Sequence, residues 1–303
     1  MQMTKQTVSN KNSKKRKKSV AGRVVYYTFG VLLTAFFLFP FFALVSRSFM
    51  TVQEVSDIPK PLLPAALNFE NYIAPFKDME SEINILKATF NSLYIMVLKI
   101  IGVTLTSFLC AFTLSRIRFR GRKLLFTIGM LTVMIPGIVT LLPLLVVYRG
   151  LGWTSTTYPL WVPAFFGGGM ITIFLQMQFI KSIPRTIDEA AIIDGANYWQ
   201  LAWKVIFPLV KPVLTYVAVT TAIGSWNDFL APMTYISRDA YGQFTLPLAF
   251  YYKFQSGGLD PTITRPHEQA ALAVIMLIPV FIIFALNKNK MIDGVALSAG
   301  IKG

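Results

Sequence analysis

Residues able to do covalent or metal chemistry are few in this chain and far apart. The single histidine, His267, stands beside Arg265 and Glu268, with no second histidine or cysteine at metal-ligand spacing. It reads as a solvated loop residue or as part of a partner contact. The single cysteine, Cys110, excludes an intrachain disulfide, a thiol pair or a cysteine zinc site. The run Gly167-Gly168-Gly169 lacks a following Lys-Ser or Lys-Thr, and no G-x-x-x-x-G-K-[ST] occurs anywhere, so the chain has no P-loop of its own. We therefore expect no catalytic residue, no metal ligand and no cofactor bound by this chain. What remains is charge in apolar surroundings, at Lys99 and Asp228, and one amphipathic stretch, RTIDEAAIIDGANYWQLAWKVIFPLVKP, at 185–212.

The elements that must carry these residues are membrane spans. Hydrophobic residues make up 54% of the 303 positions and aromatics 14%, with a mean hydropathy of +0.55, which is rare for a soluble domain. A helix needs about 20 apolar residues to cross a hydrocarbon core of roughly 30 Å. Six segments qualify: Val24–Val45, Ala88–Leu114, Leu124–Val147, Tyr158–Ile180, Phe207–Leu230 and the short Ala270–Leu286. The alternating segments of a β-barrel are absent. The expectation is an all-α integral membrane protein of six transmembrane helices: a basic tail (1–23), one spanning domain (24–287) with an inward loop at 181–211, and a C-terminal tail (288–303).

The formal net charge of +15 raises the question of nucleic acid, and the placement of the basic residues answers it. Residues 1–23 hold eight Lys/Arg, 115–123 five, 181–211 four and 287–303 three, against eight in all the segments on the other side. The positive-inside rule then gives N-in, C-in topology. Glu54, Asp57, Glu70, Asp78, Glu80 and Glu82 fall in the outward loops. The tract KNSKKRKKS at 11–19 has no apolar periodicity and no stacking aromatics, so it reads as a solvated tail against anionic lipid and not as a nucleic-acid arm. Val24–Val45 is too long for a cleavable signal and reads as a retained helix.

Within 185–212, Pro184 suits a first helical turn, Thr186–Asp194 reads as a short helix, Gly195 permits a left-handed stop, and Asn197 is an N-cap for a second helix. On that helix Tyr198, Leu201, Ala202 and Val205 form one apolar face, and Trp199, Trp203 and Ile206 another. One face can lie on the chain's own spans; the other requires a partner. Ala190 and Ala191 are small enough to enter a groove, and Glu189 offers a charge to it.

These residues resemble a known pattern. E-A-A-x3-G at 189–195, followed by Val205-Ile206-Phe207-Pro208, is similar to the EAA loop of ATP-binding cassette (ABC) importer permeases, E-A-A-x3-G-x9-I-x-L-P, with Val205 for Ile and Phe207 for Leu. Ser182-Ile183-Pro184, Ile193-Asp194-Gly195-Ala196, Ser225-Trp226-Asn227-Asp228-Phe229 and the tail Gly294 to Gly303 extend the resemblance, from about Phe36 onward, to the MalG-type subunit of carbohydrate importers. The resemblance implies a type I importer permease in a bacterial cell membrane, paired with a second, MalF-like permease and fed by an extracellular or periplasmic sugar-binding protein. A dimer of ABC ATPases would bind the ATP and magnesium and power the complex. Glu189, Ala190, Ala191, Asp194 and Gly195 would then couple to the ATPase, Asp194 either by contact or merely by capping a helix end.

Other assignments stay open at this level. Trp226, Asn227 and Asp228 are candidates for the pathway or outer gate, either as a sugar contact or as packing at a helix end. Lys99 either snorkels or pairs within the bundle; an ion-transport role needs a carboxylate that no neighbouring span clearly offers. Pro136, Gly137 and Pro143 invite a bend in the third span. Tyr241, Phe244, Phe250, Tyr251 and Tyr252, ahead of Gly257-Gly258, form either a loop reaching the binding protein or an ordered cap. A nonsugar ABC importer, a stand-alone secondary transporter and a membrane-embedded enzyme are the alternatives; the last lacks a nucleophile and base.

Overall fold

In a computed structural model the described residues are 20–59, 61–77, 82–255 and 265–298. The basic tract at 11–19, Asp78, Glu80, Gly257-Gly258 and the last residues of the C-terminal tail lie outside them. Every regular element among the described residues is helical. In lipid a helix satisfies its backbone within its own segment, which is why apolar runs of this length take that form.

In chain order the principal helices are α1 (Val20–Ser48), α2 (Ile85–Arg116), α3 (Arg122–Thr132), α4 (Gly137–Gly150), α5 (Met170–Ser182), α6 (Arg185–Ile193), α7 (Lys211–Trp226), α8 (Leu230–Tyr235), α9 (Leu246–Gln255) and α10 (Pro266–Ser298). Among the described residues, four helical stretches are long and apolar enough to cross a membrane, and up to six if each bent pair is one span. Each of the six expected segments is helical, two of them as bent pairs. The third is not one helix: α3 and α4 meet at 102°. Pro136 lacks an N–H and disfavours a helical residue before it, so the chain breaks there and restarts at Gly137. The fifth also departs from a continuous Phe207–Leu230, because Tyr198–Leu209 meets α7 at 78°. The sixth is longer than expected, running from Pro266, with its apolar part reaching Lys288.

The fourth span pauses at the glycine run. Short helical turns at Tyr158–Trp161 and Val162–Phe165 precede it, and α5 follows. Gly167, Gly168 and Gly169 have φ of 104°, 66° and 94°, conformations that side chains oppose. Gly168 also lies against α2, where an added Cβ would stand 2.9 Å from Val103 Cα. The run therefore combines a close helix approach with a break in the span.

Helix α2 is the spine, packed against α5 and α7, while α10 packs against both α7 and α1. Two large apolar clusters and a small one around Val103, Ala164 and Val217 lie along α2. Phe108, Ala111, Phe112, Met177, Ile180, Leu201, Ile206, Val210 and Val213 close the end that carries α6. Ile85, Ile95, Trp226, Phe244, Leu248 and Leu272 belong to the cluster at the other end.

Candidate functional site

The α6 segment is an elbow built by two strong local signals. Pro184 sits at the N-cap (φ −56°, ψ 138°) and not inside the first turn as expected, so the helix runs one residue early, from Arg185 to Ile193. At its end Gly195 adopts φ 84°. Gly195 N–H donates to Ile192 O at 3.0 Å, and Ala196 N–H donates to Ala191 O at 2.9 Å. This double bond pattern is the Schellman stop, which needs a left-handed residue at the glycine position. Nothing lies within 4 Å of an added Cβ at Gly195, so the requirement is conformational and not one of space.

Asn197 then caps the next helix reciprocally with Gln200, at 2.8 and 3.0 Å. The chain continues as a π-helix from Leu201 to Ile206. This wide turn revises the expected two-face division. Leu201, Ala202 and Ile206 are buried together, although the sequence pattern separated Ile206 from the other two. Trp203 packs at a tilt against Phe108 and Phe207, with ring centroids 5.5 and 5.1 Å away. Tyr198 and Trp199 remain exposed, as do Ile192 and Ile193, the last 84% exposed.

Glu189, Ala190, Asp194 and Gly195 lie on the open side of the elbow, and Ala191 is half-buried against the α2 cluster. Two recesses flank α6: one of 360 Å³ includes Arg116, Arg118, Arg185, Asp188 and Glu189 in its wall, and one of 310 Å³ runs beneath Asp194, Gly195 and Lys204. The elbow thus presents carboxylates and apolar side chains around small residues.

What holds the elbow to the bundle was not singled out from the sequence. Asp188 points inward from the first turn, and its carboxylate lies 2.9 Å from Arg116 Nε at the end of α2. Both side chains are nearly sealed, at 3% and 11% exposure for Arg116 and Asp188. Arg116 also donates to Ile183 O at 2.9 Å, and Arg185 donates to Ser115 O at 3.3 Å. Burial pushes the Asp188 carboxyl above its ordinary range, against the opposing pull of Arg116 and Arg185. The available signal was an arginine closing a long apolar span, which needs a partner unless it reaches water.

At the other candidate region the structure corrects one expectation. Lys99 does have a carboxylate partner: Asp228 Oδ2 lies 3.5 Å from its Nζ. The partner was hidden because Asp228 belongs to the gap between α7 and α8, which folds back against α2. Asp228 also accepts from Ala231 N–H at 3.3 Å. Trp226 is buried, and its Nε1 donates to Met276 O of α10 at 3.0 Å, while Asn227 is exposed and donates to Ile223 O at 2.9 Å.

The aromatic segment is ordered around α2. Phe244 is fully enclosed, Tyr252 stacks on it at 5.3 Å, and Tyr241 meets its edge at 5.5 Å. Tyr251 packs on Phe229, and Phe250 on Phe254. Asn91 donates to Gly242 O and Phe244 O, pinning the segment at 3.0 and 2.9 Å.

The described residues thus form an all-helical bundle with an exposed elbow at α6. Residues 102–289 match the family described as the binding-protein-dependent transport system inner membrane component, and the chain belongs to it. Among curated relatives, the probable starch degradation products transport system permease protein of Thermoanaerobacterium thermosulfurigenes is 27% identical, covering 89% of this chain and 94% of that one. The diacetylchitobiose uptake system permease protein of Streptomyces coelicolor is 26% identical over 88% and 85% of the two chains. In fold, the chain is similar to a subunit in the crystal structure of a bacterial ABC transporter involved in import of the acidic polysaccharide alginate, with a TM-score of 0.76, 22% identity and coverage of 89% and 98%.

Proposed function

We propose that this chain is the MalG-like permease of an ATP-driven importer for a carbohydrate, an oligosaccharide by preference, in the bacterial cell membrane. The observation that carries the coupling role is the elbow itself: an exposed face with Glu189, Ile192, Ile193, Tyr198 and Trp199, fastened to α2 by a buried ion pair. Such a surface needs a partner, and a P-loop ATPase dimer supplies the ATP and magnesium chemistry that this sequence lacks. Closure of that dimer would draw the elbows of two permeases together and rock the spans as rigid bodies. The substrate class is supported by the curated relatives named above, and the binding protein by the family's description. N-in, C-in topology puts the elbow in the cytoplasm, where the ATPase resides. An ion-coupled secondary transporter would have to use Asp228, whose carboxylate already faces Lys99 and the Ala231 N–H.

Purification of the subunit from native membranes, with mass identification of co-purifying chains, tests the assignment. A second permease, an ATPase and a binding protein are the expected companions; a lone chain active in proteoliposomes without ATP would overturn it. In the reconstituted complex, Glu189→Lys is expected to abolish sugar-stimulated ATP hydrolysis while leaving membrane insertion intact, and unchanged stimulation would sink the coupling role.

A further inference from the structure

Lys99 and Asp228 join a charge in the middle of one apolar helix to a charge just past the end of another. Lys99 stands near the middle of α2, and Asp228 occupies the gap where α7 has ended and α8 has not begun. Their charged atoms are 3.5 Å apart, and the two side chains are 22% and 27% exposed. In a bilayer a partly open charge at such depth faces water or another protein and not hydrocarbon. Asn227, next to the pair, is exposed as well, and a helix break of this kind is where transported solutes meet backbone and polar side chains in other carriers. The pair therefore marks a polar, partly open face where the gap after α7 meets α2.

The local chemistry has a definite sign. The Asp228 carboxylate is fixed by Ala231 N–H and set against the Lys99 ammonium, so the face is polar and carries no net charge. An ammonium has three donors and a carboxylate has several acceptor sites, more than the pair consumes. What is left over suits hydroxyl groups. A carboxylate on the cargo would meet Asp228 across the same few ångströms.

We propose that Lys99 and Asp228 are specificity-determining residues: paired, they present a neutral, hydrogen-bonding contact that admits uncharged sugars, and Asp228 masks an ammonium that would otherwise receive an acidic sugar. The proposal rests on the carbohydrate reading above. Its consequence is asymmetric. Removing the carboxylate exposes a cation at a low-dielectric face, whereas removing the ammonium leaves an anion that repels acidic cargo further.

The test uses the full complex in nanodiscs, held in its ATP-bound state by a hydrolysis-deficient ATPase, without the binding protein so that its own selectivity does not intervene. Saturation-transfer NMR reads contact with a panel of neutral trisaccharides and with a galacturonate trisaccharide. Wild type is expected to show only the neutral sugars. Asp228→Asn should raise the galacturonate signal about tenfold or more, equivalent to about 1.4 kcal/mol, and lose that gain in high salt. Lys99→Met should not gain it. The reversed pair, Lys99→Asp with Asp228→Lys, guards against misfolding and should behave as wild type. No galacturonate gain in an assembled Asp228→Asn complex that still contacts neutral sugars overturns the proposal alone and leaves a structural strap. No signal from any sugar in any assembled variant overturns the carbohydrate reading, and this proposal with it.

Discussion

Asp188 and Arg116 carry the argument at the scale of single residues. Breaking a sealed ion pair by removing one partner strands the other, at a cost of about 3–5 kcal/mol. Arg116→Ala and Asp188→Ala are each expected to lower the thermal stability of the solubilised subunit and weaken ATPase binding, with partial recovery in the reversed pair, Arg116→Asp with Asp188→Arg. No recovery in co-purification would show that the pair contributes only bulk. The direction of the Asp188 shift adds a pH signature. Because burial raises its pKa, Asp188 takes up its proton at a higher pH than an exposed aspartate, whose value is about 3.9. The stability linked to that proton is fully present below the ordinary value and is lost as pH rises through the raised one. The ion pair has the opposite sense and is complete only above the raised value. Sugar-stimulated ATP hydrolysis should therefore fall on the acid side, and Asp188→Asn should remove that limb; an unchanged profile would exclude Asp188 as its source. Little of this was legible beforehand, since nothing in D-E-A-A states which acid faces inward. Helix rotation decides it, burying Asp188 and exposing Glu189.

At the scale of elements, local chemistry was legible wherever a backbone rule has few solutions. Gly195 and Asn197 stop one helix and start the next as their types require. The π-helix at Leu201–Ile206 was not legible, because it depends on how Trp203 and Ile206 both find places against Phe108, Phe207 and the α2 cluster. The sharp bend between α3 and α4 was half visible: Pro136 predicts a break, but not that the two pieces diverge by 102°. The glycine run supplies a prediction at this scale. Gly168→Leu adds a side chain at φ 66° with its Cβ 2.9 Å from Val103 Cα, so α5 must move off α2. A backbone strain of about 1–3 kcal/mol is expected before any packing loss. The readout is transport by the reconstituted complex together with the midpoint of thermal unfolding; a wild-type midpoint would contradict the close approach.

Across the whole molecule, apolar runs disclosed the spans, whereas their breaks and partners emerged only from packing. Lys99 and Asp228 are 3.5 Å apart in space, yet no periodicity joins a mid-helix lysine to a residue in a distant gap. Orientation is directly testable. Single cysteines replacing the exposed Asp194 and Asp239, in a background lacking Cys110, should react oppositely with an impermeant maleimide. Asp239→Cys is expected to label in intact cells and Asp194→Cys only after permeabilisation; the reverse would invert the topology. The seating of α1 has a consequence for how the protein is made. Its apolar window is unburied within the chain, and its principal helical neighbour is α10, where Phe41 meets Phe281 edge-on at 6.4 Å. Ribosomes deliver α1 well before α10, with the other helices in between. So α1 must wait in lipid, without that partner, until nearly all the remaining spans have been inserted, and a sequence apolar on every side lets it do so.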